Sequence, residues 1–240
     1  MSAEKDLDPI NKYTKMQKTQ YEADANRWNI HNLDPVVGSF NAHNSWSDYE
    51  FLFKDIEDLK TKSVLDFGCG PGRNLVKYSD TFARIDGVDI ASKNLENAVL
   101  WMKYNKVDPA LHKLILCNGV NLSNIPNDEY DIVMSTICMQ HICVYEIRLN
   151  YLKEFYRVLK PGGYVTIQMG YGVPSPQSVD YYENNYDALS TNRGCDTNIS
   201  DYTQVEKDLM SIGFKNFKYT IRPTGPGDCH PSWIFFHAQK

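Results

Sequence analysis

The sequence predicts an α/β fold, a mostly parallel sheet sandwiched between two layers of helices, and three observations carry the prediction. Short apolar or β-branched runs recur between residues 64 and 168. Stretches of helical period separate them, and the first run breaks into a glycine-rich turn, Gly68-Cys69-Gly70-Pro71-Gly72. Strands that alternate with helices pair in parallel, and a parallel sheet is covered on both faces.

Taken in order, residues 1–20 are polar and lysine-rich with few apolar anchors, and read as a flexible tail or a loosely docked helix. Residues 21–60 form an amino-terminal helical or lid segment. Its aromatics, Tyr21, Trp28, Phe40, Trp46, Tyr49, Phe51 and Phe53, suit a helical layer packed on the sheet, with a substrate lid as the competing reading. Residues 64–67, 84–89, 113–118, 130–136 and 164–168 read as buried strands. Leu95, Ala98, Val99 and Met102 follow i, i+3, i+4, i+7, with Ser92 as the expected N-cap. Leu152, Phe155, Tyr156 and Leu159 repeat that spacing, and Pro161-Gly162-Gly163 stops the helix. Residues 170–200, rich in glycine, proline, tyrosine and asparagine, read as a long irregular insertion on the substrate side. Val205, Leu209 and Ile212 then make a helical face ended by Gly213, and 214–222 and 233–237 read as a closing antiparallel hairpin. No repeat and no linker divides residues 1–240, so one domain is expected.

Composition narrows the function. The 240 residues carry a formal net charge of −5, which gives no general attraction to phosphate backbones and disfavours nucleic acid as a partner. No apolar run approaches the roughly 18 residues of a membrane span, and Met1–Asp6 lack a signal-peptide core, so a cytoplasmic protein without membrane contact is expected. The cysteines at 69, 117, 138, 143, 195 and 229 show no C-x-x-C pair and no Cys/His metal spacing. Core thiols, and no metal, are the expectation.

The glycine turn carries the chemistry. Glycines at 68, 70 and 72 let the chain turn tightly, so an adenosine-bearing ligand can lie against main-chain N–H groups at the start of the following helix. Asp89, closing the next strand, stands where a carboxylate accepts from ribose hydroxyls. A dinucleotide fingerprint wants a small residue at position 73, where helix and strand pack beside the pyrophosphate, but this chain has Arg73. That argues against a nicotinamide-dependent oxidoreductase, kept here as the alternative along with a catalytically silent cofactor-binding module.

The spacing G-x-G-x-G resembles motif I of the class I S-adenosylmethionine-dependent methyltransferases. The stretch from Ile125 to Ser135 resembles that family's approach to its fourth strand, and Glu154 to Gly163 resembles its helix and turn before the fifth. The resemblance covers roughly residues 60–240 and implies a Rossmann-like three-layer αβα sandwich, seven-stranded, with an antiparallel strand from the final hairpin. It further implies that Asp66, Gly68, Cys69, Gly70 and Arg73 surround the methionine part of S-adenosylmethionine. Asp89 would take the ribose, Ile90 the adenine face, Asn118 and Gly119 the adenine edge, and Thr136 the end of the fourth strand. Many relatives have an acid where this chain has Asn118.

The acceptor site is less constrained. The run Ser135-Thr136-Ile137-Cys138-Met139-Gln140-His141-Ile142 lacks the Asp/Asn-Pro-Pro-aromatic motif of enzymes that methylate nucleic-acid amines. This points to a small-molecule acceptor, sugar-like among the options, with a hydroxyl ahead of an amine. His141 is the candidate catalytic base, since imidazole titrates near neutrality and the resemblance implies a basic histidine in this loop of some O-methyltransferases. An ordering role for it stands beside that one. Trp28, His43, Asn44, Trp46, Gln140, Tyr171, His230 and Trp233 are the remaining candidates for the acceptor site, near the carboxyl edge of the sheet.

Overall fold

Alternate residues of the apolar runs sort to opposite faces of one sheet, because successive side chains of a strand point opposite ways. Val64, Ile132 and Met134 join Leu52, Phe53, Leu75, Ala98 and Met102 in one core. Leu65, Phe67 and Val133 join Tyr151, Leu152, Phe155 and Leu209 in the other. The computed structural model describes residues 8–31, 49–173, 178–188, 196–225 and 230–240.

The strands are β1 (Ser63–Phe67), β2 (Arg84–Asp89), β3 (Leu114–Leu116), β4 (Tyr130–Thr136), β5 (Leu159–Tyr171), β6 (Val179–Asp180), β7 (Thr197–Ile199), β8 (Lys215–Pro223) and β9 (Ser232–Gln239). The helices are α1 (Pro9–Asp24), α2 (Tyr49–Phe53), α3 (Arg73–Lys77), α4 (Ser92–Tyr104), α5 (Tyr145–Val158) and α6 (Tyr202–Ile212). β3, β2, β1, β4 and β5 run parallel in that spatial order, β9 lies antiparallel against β5, and β8 against β9. This is the seven-stranded frame with its antiparallel hairpin.

Two short strands add to it. β7 pairs with Gly170 and Tyr171 of β5, and β6 pairs with β7. Since β9 already holds the other side of Gly170 and Tyr171, β7 lies on the β4 side, past the last β4–β5 pair at Thr136 and Gln168. The segment expected to be irregular thus extends the sheet at its carboxyl edge. Turn-rich composition hid two strands of three residues or fewer, too short to show a period.

Of the two readings of residues 1–20, a tail or a docked helix, the helix holds from Pro9 onward. Asp8 caps α1, Pro9 opens it, and Tyr13 is buried. The expected cap of α4 is corrected. Ser92 is the first helical residue, and the carboxylate of Glu22 on α1 caps the helix from outside, accepting from Ser92 N–H at 2.7 Å, Ser92 Oγ at 2.8 Å and Lys93 N–H at 3.0 Å. α5 ends at Val158, one residue before the expected Leu159, and the Pro161-Gly162-Gly163 turn becomes a bulge inside β5, where the register against β4 shifts. Phe51, Leu52 and Phe53 of α2 pack into the core of Val64 and Met134, where Phe53 meets Tyr78 and Phe82 at 5.5 and 5.2 Å between ring centroids; Phe40 and Trp46 of the same expected layer lie outside the described residues. Among the cysteines, 69, 117 and 143 are buried and free and 138 is partly buried; 195 and 229 lie outside the described residues.

Candidate active site

The loop after β1 is closed by its own neighbours. Gly68 N–H and Cys69 N–H donate to Val88 O at 2.9 and 3.1 Å, and Gly72 N–H donates to Cys69 O at 3.0 Å. Gly70 N–H donates to Asp89 Oδ2 at 2.9 Å. Pro71 has no N–H. Gly68 and Gly72 hold positive φ, and a Cβ on Gly68 would stand 2.0 Å from Cys138 Sγ, so glycine is required where the loops after β1 and β4 meet. The main-chain donors of residues 68–72 are therefore committed within the loop and to the end of β2.

What the loop region offers instead is acceptors. Asp66 is buried, and its Oδ1 accepts from Asn74 Nδ2 at 3.2 Å while Oδ2 is buried without a donor. Asn74 Oδ1 is likewise buried without a donor. Burial pushes the Asp66 carboxyl up to about 7, against the hydrogen bond from Asn74 and the nearby Arg73 guanidinium. Thr136 Oγ1 accepts from Asn74 Nδ2 at 3.0 Å and from Arg73 at 3.5 Å, which joins the end of β4 to this cluster. Cys69 is buried and its thiol is pushed well up by burial, so it packs as a neutral side chain.

Asp89 is the carboxylate that clamps the turn: besides Gly70 it accepts from Ala91 N–H at 2.9 Å and Asn94 Nδ2 at 3.1 Å. Burial raises its pKa. Three donors leave lone-pair capacity on a carboxylate for a further one. Ile90 and Gly119 adjoin, since a Cβ on Gly119 would meet Ile90 Cδ1 at 2.8 Å and Thr14 of α1 at 3.2 Å. The Asn118 side chain is committed to its own turn. Its Oδ1 accepts from Val120 and Asn121 N–H, both at 2.9 Å, and its Nδ2 donates to Asn121 Oδ1 at 3.0 Å.

Across Gly68, His141 ends the short 3₁₀ turn Met139–His141 after β4. Its Nδ1 lies 2.7 Å from Oδ2 of the buried Asp196. An imidazole N–H donating to a carboxylate leaves Nε2 as the ring's acceptor. The turn is pinned from two sides. Tyr13 of α1 accepts from Cys143 N–H at 2.7 Å and donates to His141 O at 3.5 Å. Arg148, buried on α5, donates to Ile142 O and to Tyr181 O, tying the turn to the segment around β6.

The other acceptor candidates divide. The Tyr21 ring centroid stands 6.4 Å from that of His141 and 6.4 Å from that of Trp28, between the two. Gln140, His230 and Trp233 are buried and Tyr171 closes β5. His230 packs over Gly170, its ring 4.7 Å from Trp233, and its Nδ1 donates to Asn198 Oδ1. His43, Asn44 and Trp46 lie outside the described residues. Sequence reasoning missed Asp196, Asn198, Gln168, Tyr13 and Arg148. Asp196 and Asn198 sit in a polar stretch with no period, and no local signal pairs them with histidines about 55 and 32 residues away.

Residues 65–167 match the family model for a methyltransferase domain. The matched segment runs from β1 into β5 and so contains the glycine loop, Asp89, Thr136 and His141, while Asp196, Asn198, His230 and Trp233 fall after it. The chain is similar to the thiol S-methyltransferase TMT1B of Rattus norvegicus, 29% identical over 116 residues, which make up 47% of this chain and 46% of that protein. The chain spans about half the length of the curated relatives it matches. Its fold is similar to that of phosphoethanolamine N-methyltransferase 2 of Haemonchus contortus, solved with phosphomonomethylethanolamine and S-adenosylhomocysteine (TM-score 0.64, 20% identity, 98% of this chain and 61% of that one). It is also similar to that of the [4+2]-cyclase SpnF (TM-score 0.68, 14% identity, 95% and 96%). At these identities the likeness is one of fold. Among the described residues no helix is long and apolar enough to cross a membrane.

Proposed function

We propose that this protein transfers a methyl group from S-adenosylmethionine to a hydroxyl of a small molecule. One observation carries the cofactor: from Gly68 to Gly72 the main-chain donors are taken up internally, whereas two buried acceptors beside the loop, Asp66 Oδ2 and Asn74 Oδ1, have no donor. A buried acceptor without a donor is costly. A ligand bringing N–H donors and positive charge suits the pair, as the ammonium and sulfonium of S-adenosylmethionine do, while a pyrophosphate brings the opposite charge and needs donors. The match of residues 65–167 to a methyltransferase domain supports the same reading.

In this reading Asp66, Asn74, Arg73 and Thr136 hold the amino-acid end, Asp89 takes the ribose, and Ile90 and Gly119 flank the adenine. The bound cofactor supplies a methyl carbon that is electrophilic because its sulfonium leaves as a neutral thioether. His141 receives the acceptor hydroxyl's proton on Nε2 as the oxygen's electron pair forms the new bond to carbon. Asp196 holds the ring and stabilises the imidazolium so formed, the arrangement that a proton-taking role requires. An amine acceptor needs only its free lone pair, so a histidine–carboxylate pair favours the hydroxyl. Tyr13 and Arg148 fix the turn and so the direction of attack.

The test is a calorimetric titration with S-adenosylhomocysteine beside NAD and NADP. Micromolar binding of S-adenosylhomocysteine alone is expected. Binding of a nicotinamide dinucleotide alone would sink the proposal.

A further inference from the structure

A stripe of polar side chains crosses the carboxyl edge of the sheet beyond the cofactor cluster. Thr136, which joins that cluster, pairs in register with Gln168 of β5, two residues along the same strand from Gly170. Gly170 pairs with Asn198 on β7 and with Trp233 on β9. Side chains at paired positions share a face, so Thr136, Gln168, Asn198 and Trp233 look the same way, and His230 packs over the bare Gly170 between them.

Gln168 and Asn198 are both fully buried. Each has its oxygen engaged: Gln168 Oε1 accepts from Ile137 N–H at 2.8 Å, and Asn198 Oδ1 accepts from His230 Nδ1. Each has its amide nitrogen buried without an acceptor. Two buried NH2 groups at 0% exposure on one face, next to the predicted methyl donor and to the turn carrying His141, call for oxygen acceptors.

We propose that Gln168 and Asn198, with His230 and Trp233, form the acceptor subsite, and that the acceptor is an uncharged polyhydroxylated molecule, sugar-like in its spacing of oxygens. The inference rests on the methyltransferase reading above and names its substrate class. The charge of the surroundings decides against ions. The carboxylates Asp66, Asp89 and Asp196 outnumber the guanidinium groups of Arg73 and Arg148, which are spent on Thr136 and on Ile142 O and Tyr181 O, so an anion gains no net attraction, and amide NH2 groups offer an ammonium nothing to donate to. The partners of the two histidines divide their work. Asp196 stabilises a charged His141 ring, whereas the neutral Asn198 amide holds the His230 ring with its proton on Nδ1.

The experiment is titration of the protein saturated with S-adenosylhomocysteine, using three neutral probes (methyl glucoside, methyl xyloside, inositol), glucuronate as the anion and ethanolamine as the cation. At least one neutral probe is expected to bind saturably and more tightly than either ion. Gln168→Glu keeps the acceptor for Ile137 N–H and replaces the donor with an acceptor; it is expected to weaken that probe at least tenfold, as is the uncharged Gln168→Met. Affinity for S-adenosylhomocysteine, measured on each variant, is expected to hold. Preference for an ion, absence of saturable binding by every neutral probe, or unchanged probe affinity in both variants would overturn the subsite. Failure of the wild type to bind S-adenosylhomocysteine is a separate result that strikes the methyltransferase reading itself.

Discussion

The loops after β1 and β4 meet at Gly68 and Cys138, yet they are held in different ways. The first is closed by hydrogen bonds to its own residues and to the neighbouring β2 end, at Val88 and Asp89. The second is held by groups from α1, β5, α5 and the stretch before β7: Tyr13, Gln168, Arg148 and Asp196. A loop satisfied locally keeps its shape wherever its two strands pair. A loop satisfied from four directions keeps its shape only when the rest of the chain has docked, and its geometry can be retuned from any of those directions. The first arrangement suits an invariant ligand such as a cofactor, and the second suits an acceptor that differs among proteins of one fold.

Variants on either side separate the two. The largest effect is expected at Asp66. Its carboxyl is raised from 3.8 to about 7 by burial, so the folded chain binds this proton more tightly than the unfolded chain does. The contribution to stability therefore falls as pH rises from about 4 to about 7 and is flat above, a change on the order of 4 kcal/mol. Asp66→Asn removes that fall, so denaturant melts of variant and wild type diverge between pH 4 and 8, with the variant gaining; parallel curves would mean the carboxylate is solvated. On the second loop, His141→Ala and Asp196→Asn are each expected to lower kcat about a hundredfold, near 2.7 kcal/mol, while affinity for S-adenosylhomocysteine holds. Equal loss of cofactor binding would merge the two loops into one unit.

Tyr13→Phe leaves the buried Cys143 N–H without its acceptor and loosens α1 from the His141 turn, at a cost of about 2 kcal/mol in thermal stability. Turnover should drop with it, and a variant as stable and active as the wild type would show that α1 does not fix the turn. Asp89→Ala removes both the clamp on Gly70 and the proposed ribose contact, and is expected to weaken S-adenosylhomocysteine at least tenfold, about 1.4 kcal/mol, with kcat at saturation little changed. The smallest effect belongs to Glu22→Gln, which weakens the cap of α4 by about 1 kcal/mol. The Glu22 pKa is lowered: burial works against this, and the hydrogen bonds from Ser92 and Lys93 overcome it. That contribution is present above the unfolded pKa and fades as acidity rises through the lower folded one, so the variant should approach the wild type in acid.

The frame was legible because its signals are local. Apolar runs of strand length, helical spacing such as Leu95 to Met102, and the glycines at 68, 70 and 72 each state a backbone preference that neighbouring residues reinforce. Arg73 in place of a third small residue separated two cofactor classes by steric demand alone. The sequence by itself thus determined the α/β architecture, the glycine turn with Asp89 beyond it, and the presence of His141 after β4. Tertiary structure decided which polar atoms are taken: that Asp89 rather than Asp66 clamps the loop, that Asn118 is bound up in its own turn, that Glu22 caps a helix 70 residues on, and that Asp196 and Asn198 meet His141 and His230. Whether a buried donor or acceptor is satisfied depends on partners brought in by packing, and no window of sequence contains them.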